Sequence, residues 1–350
     1  MLRENAPISF EALTPIWTGD SLGKSDQRVL ETGILGSLRW WTDVLARGMG
    51  AEVEDPTDSN REYKKGEYEG VPVQKIYGFT GFRRRFRFEI TGGQKRQIER
   101  RYELPNPPIK PNPRTERQPS WQFRSSAWHG NLEILLVGAK PEDFAIIQGA
   151  LAFASAVGAL GAKSQHGCGI VQYHIADVSR NAFLQWLNQL WQGEGGAVEM
   201  SDLPSLRNLF VGEFTANGDR RLTDLDTFYA RYYMREALRP HASSSKDEED
   251  AARTLRHSIL GTLGRDRQGS KVCVSFPFDC GNTSRLRVWG WIPEVPVPRA
   301  TRLGCLNTIR DAMSAHFHEE NWLDLASWYP SSVLDRIDET LKIGVPWDSK

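Results

Sequence analysis

The chain has 350 residues, of which 39% are hydrophobic, and its 44 Lys and Arg side chains are balanced by 44 Asp and Glu side chains. This length and composition are typical of a soluble globular protein with two domains. The zero net charge excludes a protein that coats nucleic acid through overall positive charge. No apolar run approaches the roughly 18 residues of a membrane span, which predicts a cytoplasmic protein without a membrane partner.

The cysteines give no sign of a metal site or a disulfide framework. The four of them, at positions 168, 273, 280 and 305, form no C-x-x-C pair and have no histidines at zinc-finger spacing. This pattern predicts reduced thiols. The acidic run at 247–250 lies in a polar stretch and is interpreted as a solvated surface, so neither a metal site nor a cofactor is predicted.

The first half of the chain mixes predicted strands and helices. Residues 8–13 alternate apolar and polar side chains, as a β-strand does, and residues 29–49 place apolar side chains at three- and four-residue spacing, as a helix does. The further predicted elements are a strand with a basic face at 82–90, a long mobile basic loop at 91–120, a strand at 130–137, a buried helix at 141–160 and a strand at 169–175.

Positive charge is concentrated in one segment. Residues 83–124 hold 12 Lys and Arg against 4 Asp and Glu, whereas residues 179–350 hold 21 against 23. A basic segment in a neutral chain indicates a localised anionic partner. The alternative is a solvated loop, which the six prolines of residues 91–120 allow.

The loop after the first strand ends in Gly23, Lys24 and Ser25 and partly resembles a Walker A motif. Gly19 stands one residue too close to Gly23, and the motif also requires a strand directly before it and a helix directly after it. The chain is therefore not predicted to be an NTPase. Lys24 and Ser25 remain candidate phosphate contacts.

The predicted helix at 29–49 carries the triplet Arg39-Trp40-Trp41. Trp41 falls on the apolar stripe and is expected in the core. Arg39 and Trp40 lie off the stripe, where they can present a cation and a stacking surface to a nucleotide. For Arg39, a structural salt bridge is the alternative.

A glycine-rich basic loop follows the buried helix. In residues 158–169, four glycines surround Lys163, Ser164, Gln165 and His166. Glycines allow positive φ and a close approach to a ligand, and successive free amides in such a loop can form an anion-binding concavity. The alternative is a helix C-cap followed by a tight turn.

The second half is again predicted to mix helices and strands, without a clear repeat. Residues 243–250 are expected to be exposed and flexible because they contain few hydrophobic side chains. The predicted elements are helices at 182–191, 224–238 and 301–318, the last closed by His316 and His318, and paired strands at 271–278 and 285–292.

Three motifs together resemble the RAMP superfamily of CRISPR proteins. They are Thr14-Pro-Ile-Trp-Thr-Gly19, Ile34-Leu-Gly-Ser-Leu-Arg-Trp-Trp41 and the glycine-rich loop at 158–169. Within that superfamily, the pattern most resembles the first-numbered subunits of the type III-B Cmr effector complex. The loop is typical of the whole superfamily, whereas the first two motifs are more specific.

The resemblance implies an α+β fold with two ferredoxin-like (RRM-like) domains, which we place at 1–178 and 179–350. It further implies a non-catalytic RNA-binding subunit of a crRNA-guided antiviral ribonucleoprotein. Its expected partners are crRNA, target RNA and other Cmr or RAMP subunits, with contacts near the 3′ region of the guide and its target.

The motifs and the basic strand together define the predicted RNA-contacting residues: Trp17, Lys24, Ser25, Arg39, Trp40, Arg83, Arg84, Arg85, Arg87, Lys163, Ser164, Gln165 and His166. Two other functions stay open. One is a metal-independent endoribonuclease that uses His166, although acid–base cleavage needs two groups at one phosphate. The other is a structural adaptor that contacts mainly protein.

Overall fold

The computed structural model describes most of the chain. The described residues are 7–19, 28–53, 72–79, 82–99, 101–106, 109–111, 116–123, 126–191, 203–239, 245–262, 268–293, 301–329 and 332–343.

The first unit has the strand–helix–strand–strand–helix–strand succession of a ferredoxin-like fold. Strands β2, β5, β1 and β6 lie side by side in that order, with every neighbouring pair antiparallel. The elements are β1 (Ile8–Ile16), α1 (Glu31–Gly48), α2 (Pro72–Tyr77), β2 (Arg87–Arg96), β3 (Arg101–Glu103), β4 (Ser120–Gln122), β5 (Ala127–Val137), α3 (Pro141–Val157) and β6 (Val171–Gln172).

The second unit repeats this succession. Strands β11, β7, β10 and β8 form an antiparallel sheet in that order, and β9 pairs with β10 as a hairpin. The elements are α4 (Asp177–Leu190), β7 (Leu209–Ala216), α5 (Asp224–Ala237), α6 (Lys246–Leu260), β8 (Val272–Val274), β9 (Phe278–Cys280), β10 (Thr283–Trp291), α7 (Arg302–Ser314), β11 (Phe317–Asp324) and α8 (Val333–Ile343). The predicted α+β class with two ferredoxin-like sheets is confirmed.

The sequence patterns explain the elements that frame the glycine-rich loop. In β1, Ile8, Phe10 and Ala12 are buried while the residues between them are more exposed, as the alternation predicts. In α1, the stripe that includes Leu38 and Trp41 is buried. Helix α3 is buried over nearly its whole length, because it lies between α1 and the two helices α4 and α8.

Two predictions about the basic segment are wrong. The strand expected at 82–90 begins only at Arg87 and extends through residues 91–96, which were expected to be loop. Beyond it, residues 101–103 and 120–122 pair as a short two-stranded sheet. The described residues of this segment are thus not all loop, and their Tyr102 and Phe123 pack against Phe228 of the second unit.

Two further predictions differ in part from the structure in the second half. Of the segment 243–250, expected to be exposed and flexible, the described residues 245–250 are exposed as predicted, but they include the start of α6, where Ser245 and Glu248 form a reciprocal capping box. The helix expected at 301–318 ends at Ser314, and His318 lies in β11. A short turn at 315–316 separates the helix from this strand.

Hydrophobic core side chains of the two units pack together. Helix α8, the last described element, returns to the first unit and packs against α3 and α4. Its Ile337 and Leu341 are buried in the core that also contains Trp41 and Trp289. The predicted division between residues 178 and 179 falls inside α4 and stays a prediction.

The described part of the chain offers neither a bilayer-spanning helix nor a metal centre. None of its helices is both long and apolar enough to cross a membrane. Over the same residues, no three His, Cys, Asp or Glu side chains come together as metal ligands would. All four cysteines are buried with free thiols.

Candidate nucleic-acid interface

The glycine-rich loop is a closed structure held by its own backbone. The Leu160 amide donates to the Gly169 carbonyl at 2.8 Å, and the Gly169 amide donates to the Pro15 carbonyl at 3.0 Å. Gly169 has a φ of +100°, and a Cβ there would lie 2.1 Å from the Leu160 carbonyl oxygen. The loop therefore requires glycine at this position.

Most amides of this loop are already used within the protein. Gly161 donates to the Ser37 hydroxyl at 2.8 Å, and Ala162 donates to the Trp17 carbonyl at 2.8 Å. The amides of residues 166–170 also donate to protein oxygens. These amides are therefore not available to bind an anion.

Lys163 is the side chain that the loop presents. It adopts a left-handed backbone conformation with a φ of +60°, which is uncommon for a residue other than glycine. Its Nζ lies 4.1 Å from the ring centroid of Trp17 and 5.4 Å from that of Phe123. Contacts of a cation with aromatic faces hold the ammonium group in position.

The loop is also attached to the second unit. The Phe276 amide donates to the Gly167 carbonyl at 2.7 Å, and the Ser164 hydroxyl lies 3.6 Å from the Cys273 sulfur. The Arg231 guanidinium donates to the Gln165 carbonyl. Side chains of both units therefore fix the conformation of the loop.

His166 lies in the loop beside cations and an aromatic ring. Its ring packs edge-on against Phe123, with centroids 5.9 Å apart. Burial, together with the charges of Arg231 and Lys163, lowers the pKa of His166 from 6.5 to about 3. The imidazole is therefore neutral at physiological pH.

A cavity of about 660 Å³ lies between the loop, α1 and the sheet of the second unit. Tryptophans from three parts of the chain line it, and Gly33 and Gly36 leave bare backbone on its α1 side. We call it the tryptophan groove, and its lining includes Trp17, Trp40, Trp289, Trp291, Ser164 and Gln165. Aromatic rings beside a cation form a surface on which a base can stack.

Trp40 belongs to this groove, whereas Arg39 does not line it. The Trp40 ring packs against Trp41 and Trp291, with centroids 4.7 and 5.9 Å away. Arg39 donates to the Gly78 carbonyl at 3.1 Å and lies 4.0 Å from the Asp43 carboxylate. Arg39 thus joins α1 to the residues after α2.

The arginines at 83–87 lie at the other edge of the first sheet, away from the loop. Arg85 pairs with the buried Asp143 at the start of α3, and Arg87 pairs with Glu89. Arg84 donates to the Phe86 carbonyl at 3.1 Å, and Arg83 is exposed. The structure does not bring these arginines to the tryptophan groove, and Lys24 and Ser25 lie outside the described residues.

The sequence analysis missed the wall of the groove that the second unit supplies. Trp289 and Trp291 are two residues apart on β10, a spacing that places both side chains on one face of a strand. That spacing, within a strand that was predicted, was the available signal. Arg231 had no such signal, because its partner is a backbone carbonyl in the other unit.

The comparison with known families agrees with the motifs. The model described as the RAMP superfamily matches residues 9–172, which extend from β1 through the glycine-rich loop to β6. The resemblance of the motifs to the superfamily is therefore confirmed over these residues. No curated protein sequence gives a match.

Solved structures resemble the chain at low sequence identity. The crystal structure of apo Cmr1 from Pyrococcus furiosus is 13% identical, with a TM-score of 0.42, and the match covers 94% of this chain and 96% of Cmr1. A chain of the type III-B Cmr-beta assembly bound to cognate target RNA and AMPPnP, in the presence of ssDNA, is 10% identical, with a TM-score of 0.44 and coverages of 88% and 98%. A chain of Cmr-beta bound to cognate target RNA is 9% identical, with a TM-score of 0.42 and coverages of 96% and 99%.

Proposed function

We propose that this protein is a non-catalytic, RNA-binding RAMP subunit of a type III-B crRNA-guided effector complex in the cytoplasm. It contacts crRNA, target RNA or both near the 3′ region of the guide, beside other RAMP subunits, in antiviral defence. The match of residues 9–172 to the RAMP superfamily model supports the superfamily assignment. The motifs at 14–19 and 34–41 support the type III-B assignment.

The observation that carries this proposal is the contact of Lys163 with Trp17, one of the tryptophans that line the groove. Its ammonium group stands over Trp17, which itself lines the groove together with Trp40 and Trp291. A nucleotide in the groove stacks its base on indole rings while its phosphate meets the ammonium group. Gly36 allows a close approach, because the space where its Cβ would lie is open.

The state of His166 supports a non-catalytic role. With a pKa of about 3, the imidazole carries no proton to give to a leaving group near neutral pH, and it is a weak base. The ionisable groups that most affect it, Arg231 and Lys163, are both cations. Neither supplies a general base for attack on a phosphodiester.

The test measures the affinity of the purified chain for single-stranded RNA, titrated with salt. Replacing a lysine that meets a phosphate weakens binding to all sequences, and it lowers the slope of log K against log salt by about 1. We expect this result for Lys163→Gln. The matched control is Lys342→Gln, which removes the same charge from the exposed surface of α8, where Lys342 pairs with Asp338 at 2.5 Å.

A second variant tests base stacking. Trp291→Ala is expected to weaken binding about 5- to 150-fold, the range of roughly 1–3 kcal/mol that a stacked base contributes. RNA that has been incubated with the wild-type protein in the presence of EDTA is run on a gel to detect cutting. RNA cutting that His166→Ala abolishes would replace this proposal with a nuclease, and the absence of salt-dependent binding would favour a protein-contacting adaptor.

A further inference from the structure

Arg231 connects the glycine-rich loop to a second cavity. Its guanidinium donates to the Gln165 carbonyl, and its side chain also lines a cavity of about 570 Å³. This cavity, here called the α5–α6 pocket, lies between helices α5 and α6 and the segment that leads to β4. Its cationic lining residues are Lys110, Arg117, Arg231, Arg235, Arg239 and Arg256.

Protein carboxylates do not balance the charge of this pocket. Glu236 is the one acidic side chain among its described lining residues, and it pairs with Arg239 at 2.9 Å. Within the described part of the chain, neither Arg235 nor Arg256 has a carboxylate within 4.0 Å. The buried Nε of Arg256 also has no hydrogen-bond partner among these residues.

Three arginines of this pocket are brought close together by their spacing along α5. Arg231, Arg235 and Arg239 follow one another at four-residue intervals, which places them on one face of α5 and its C-terminal extension. Like charges at this spacing destabilise a helix. A cluster of this kind is stabilised when an anion lies between its members.

The pKa shifts of two arginines in the pocket agree with this crowding of positive charge. Burial lowers the pKa of Arg256, and the neighbouring Arg235 and Arg239 lower it further. Burial also lowers the pKa of Arg231 to about 10, and Arg235 contributes to the same direction. A bound anion would favour the charged form of these guanidinium groups, which offsets the cost of their burial and reduces their mutual repulsion.

Aromatic side chains complete the lining. Trp121 stacks on Phe228, with centroids 4.7 Å apart and planes 30° apart, so that its half-buried ring is held in place. Trp121 and Tyr232 both line the pocket. Arginines beside fixed aromatic rings are the combination that binds the backbone and bases of single-stranded nucleic acid.

We propose that the α5–α6 pocket is a second RNA-binding site that holds the phosphates and a base of a single-stranded segment. The proposal rests on the proposed RNA-binding function and extends it to the second unit. An RNA strand is favoured over a free nucleotide because six cations line the pocket. Four of them, Lys110, Arg117, Arg235 and Arg239, are exposed, as contacts to a continuing backbone would be.

The experiment compares two arginine variants of the full chain. Arg235→Gln removes an exposed cation of the pocket, whereas Arg253→Gln removes an exposed cation of α6 that pairs with Asp250 at 3.4 Å and does not line the pocket. We expect Arg235→Gln to weaken binding of a 20-nucleotide RNA about 5- to 10-fold at 100 mM salt and to lower the salt slope by about 1. For Arg253→Gln, we expect less than about a twofold change.

A variant of the half-buried Arg256 provides a second measurement. Arg256→Gln is expected to act like Arg235→Gln, and melting temperatures show whether it folds. If it does not fold, the exposed Arg235→Gln still decides the question. RNA that contains 4-thiouridine is also expected to crosslink to the peptide that contains Trp121 or Tyr232.

The possible failures are distinguishable. If Lys163→Gln weakens RNA binding while Arg235→Gln behaves like Arg253→Gln, the pocket proposal is overturned and the proposed function stands. If the wild-type chain does not bind RNA, so that no variant changes RNA binding, both proposals fail. If AMP or inorganic pyrophosphate raises the melting temperature in an Arg235-dependent way without RNA binding, the ligand is a free phosphate compound.

Discussion

The guanidinium of Arg287 donates to the carbonyl of Gly158 at 3.1 Å, across the boundary between the two units. The same nitrogen donates to the Ser155 carbonyl at 2.8 Å. Both carbonyls lie at the C-terminal end of α3, where backbone acceptors lack helical partners and a cation is favoured. On its other side, Arg287 bonds to the buried Glu213 through Nε and a terminal nitrogen, at 3.1 and 2.9 Å.

Replacing Arg287 is therefore expected to destabilise the whole protein. Arg287→Met leaves Glu213 with Arg285 alone and removes the partner of the α3 carbonyls, which predicts a loss of about 3 kcal/mol in the free energy of unfolding. Urea denaturation measures this loss. Arg336→Met is the control, since the exposed pair with Glu339 contributes less than about 1 kcal/mol. Equal losses in the two variants would contradict the interpretation.

Gly158 is expected to tolerate no larger residue. A Cβ at this position would lie 1.9 Å from Cζ2 of Trp41, whose indole nitrogen is fixed by a 2.9 Å bond to the Ala159 carbonyl. Gly158→Ala should therefore cost about 1–3 kcal/mol through overpacking. Thermal and urea denaturation test this expectation.

Gly36 provides the opposite case within α1. Its Cβ position has no atom within 4 Å, and alanine is the better helix former. Gly36→Ala should stabilise the protein by about 0.5–1 kcal/mol. A loss of stability in this variant would show that the space beside α1 is smaller than described.

His166 is expected to make stability depend on pH. Its pKa is about 3 in the folded protein and 6.5 ordinarily, so the unfolded chain takes up a proton first as the pH falls. The free energy of unfolding is unaffected by His166 above pH 6.5 and falls between about pH 6.5 and 3, by about 1.4 kcal/mol per pH unit. Urea denaturation at pH 7 and pH 5 measures it.

The comparison with His166→Gln isolates this contribution. Burial raises the pKa of Asp43 from 3.8 to about 7, which makes the protein more stable as the pH falls through this range and opposes the effect of His166. Asp43 is present in both proteins and cancels in their difference. An unchanged difference between pH 7 and pH 5 would show that His166 is solvated.

The cysteines are expected to be inert in the folded protein. Burial raises the pKa of Cys273 to about 11 and that of Cys168 to about 12, so little thiolate forms at pH 8. A thiol reagent such as DTNB should therefore react slowly with the native chain. In guanidinium chloride, which unfolds the chain, it should react rapidly with all four thiols. Rapid native reaction would reveal an opening of the core.

The sequence predicts those elements whose signals are local. The alternation of apolar and polar residues was sufficient to predict β1, and the apolar stripe was sufficient to predict α1. The glycines together with Lys163 identified the loop. The fold of residues 91–123 was not predictable in this way. Its prolines suggest a loop, whereas the aromatic partner of Tyr102, Phe228, lies more than a hundred residues later.

The candidate site, too, was predictable only where its residues are identified by local patterns. Trp17, Trp40 and Lys163 were predicted, and the structure brings them to one region. The opposite wall and the cation that fixes Gln165 come from β10 and α5 of the other unit. Such contacts follow from the packing of the two sheets, which no local pattern in the chain describes.

Helix α8 has a consequence for synthesis on the ribosome. Its buried Val333, Ile337 and Leu341 complete a core that also contains side chains of α1 and α3, made some 180 to 300 residues earlier. Until the last helix has left the exit tunnel, a nascent chain presents that apolar surface to chaperones. Premature termination just before residue 333 would leave the same surface exposed, marking the product for proteolysis.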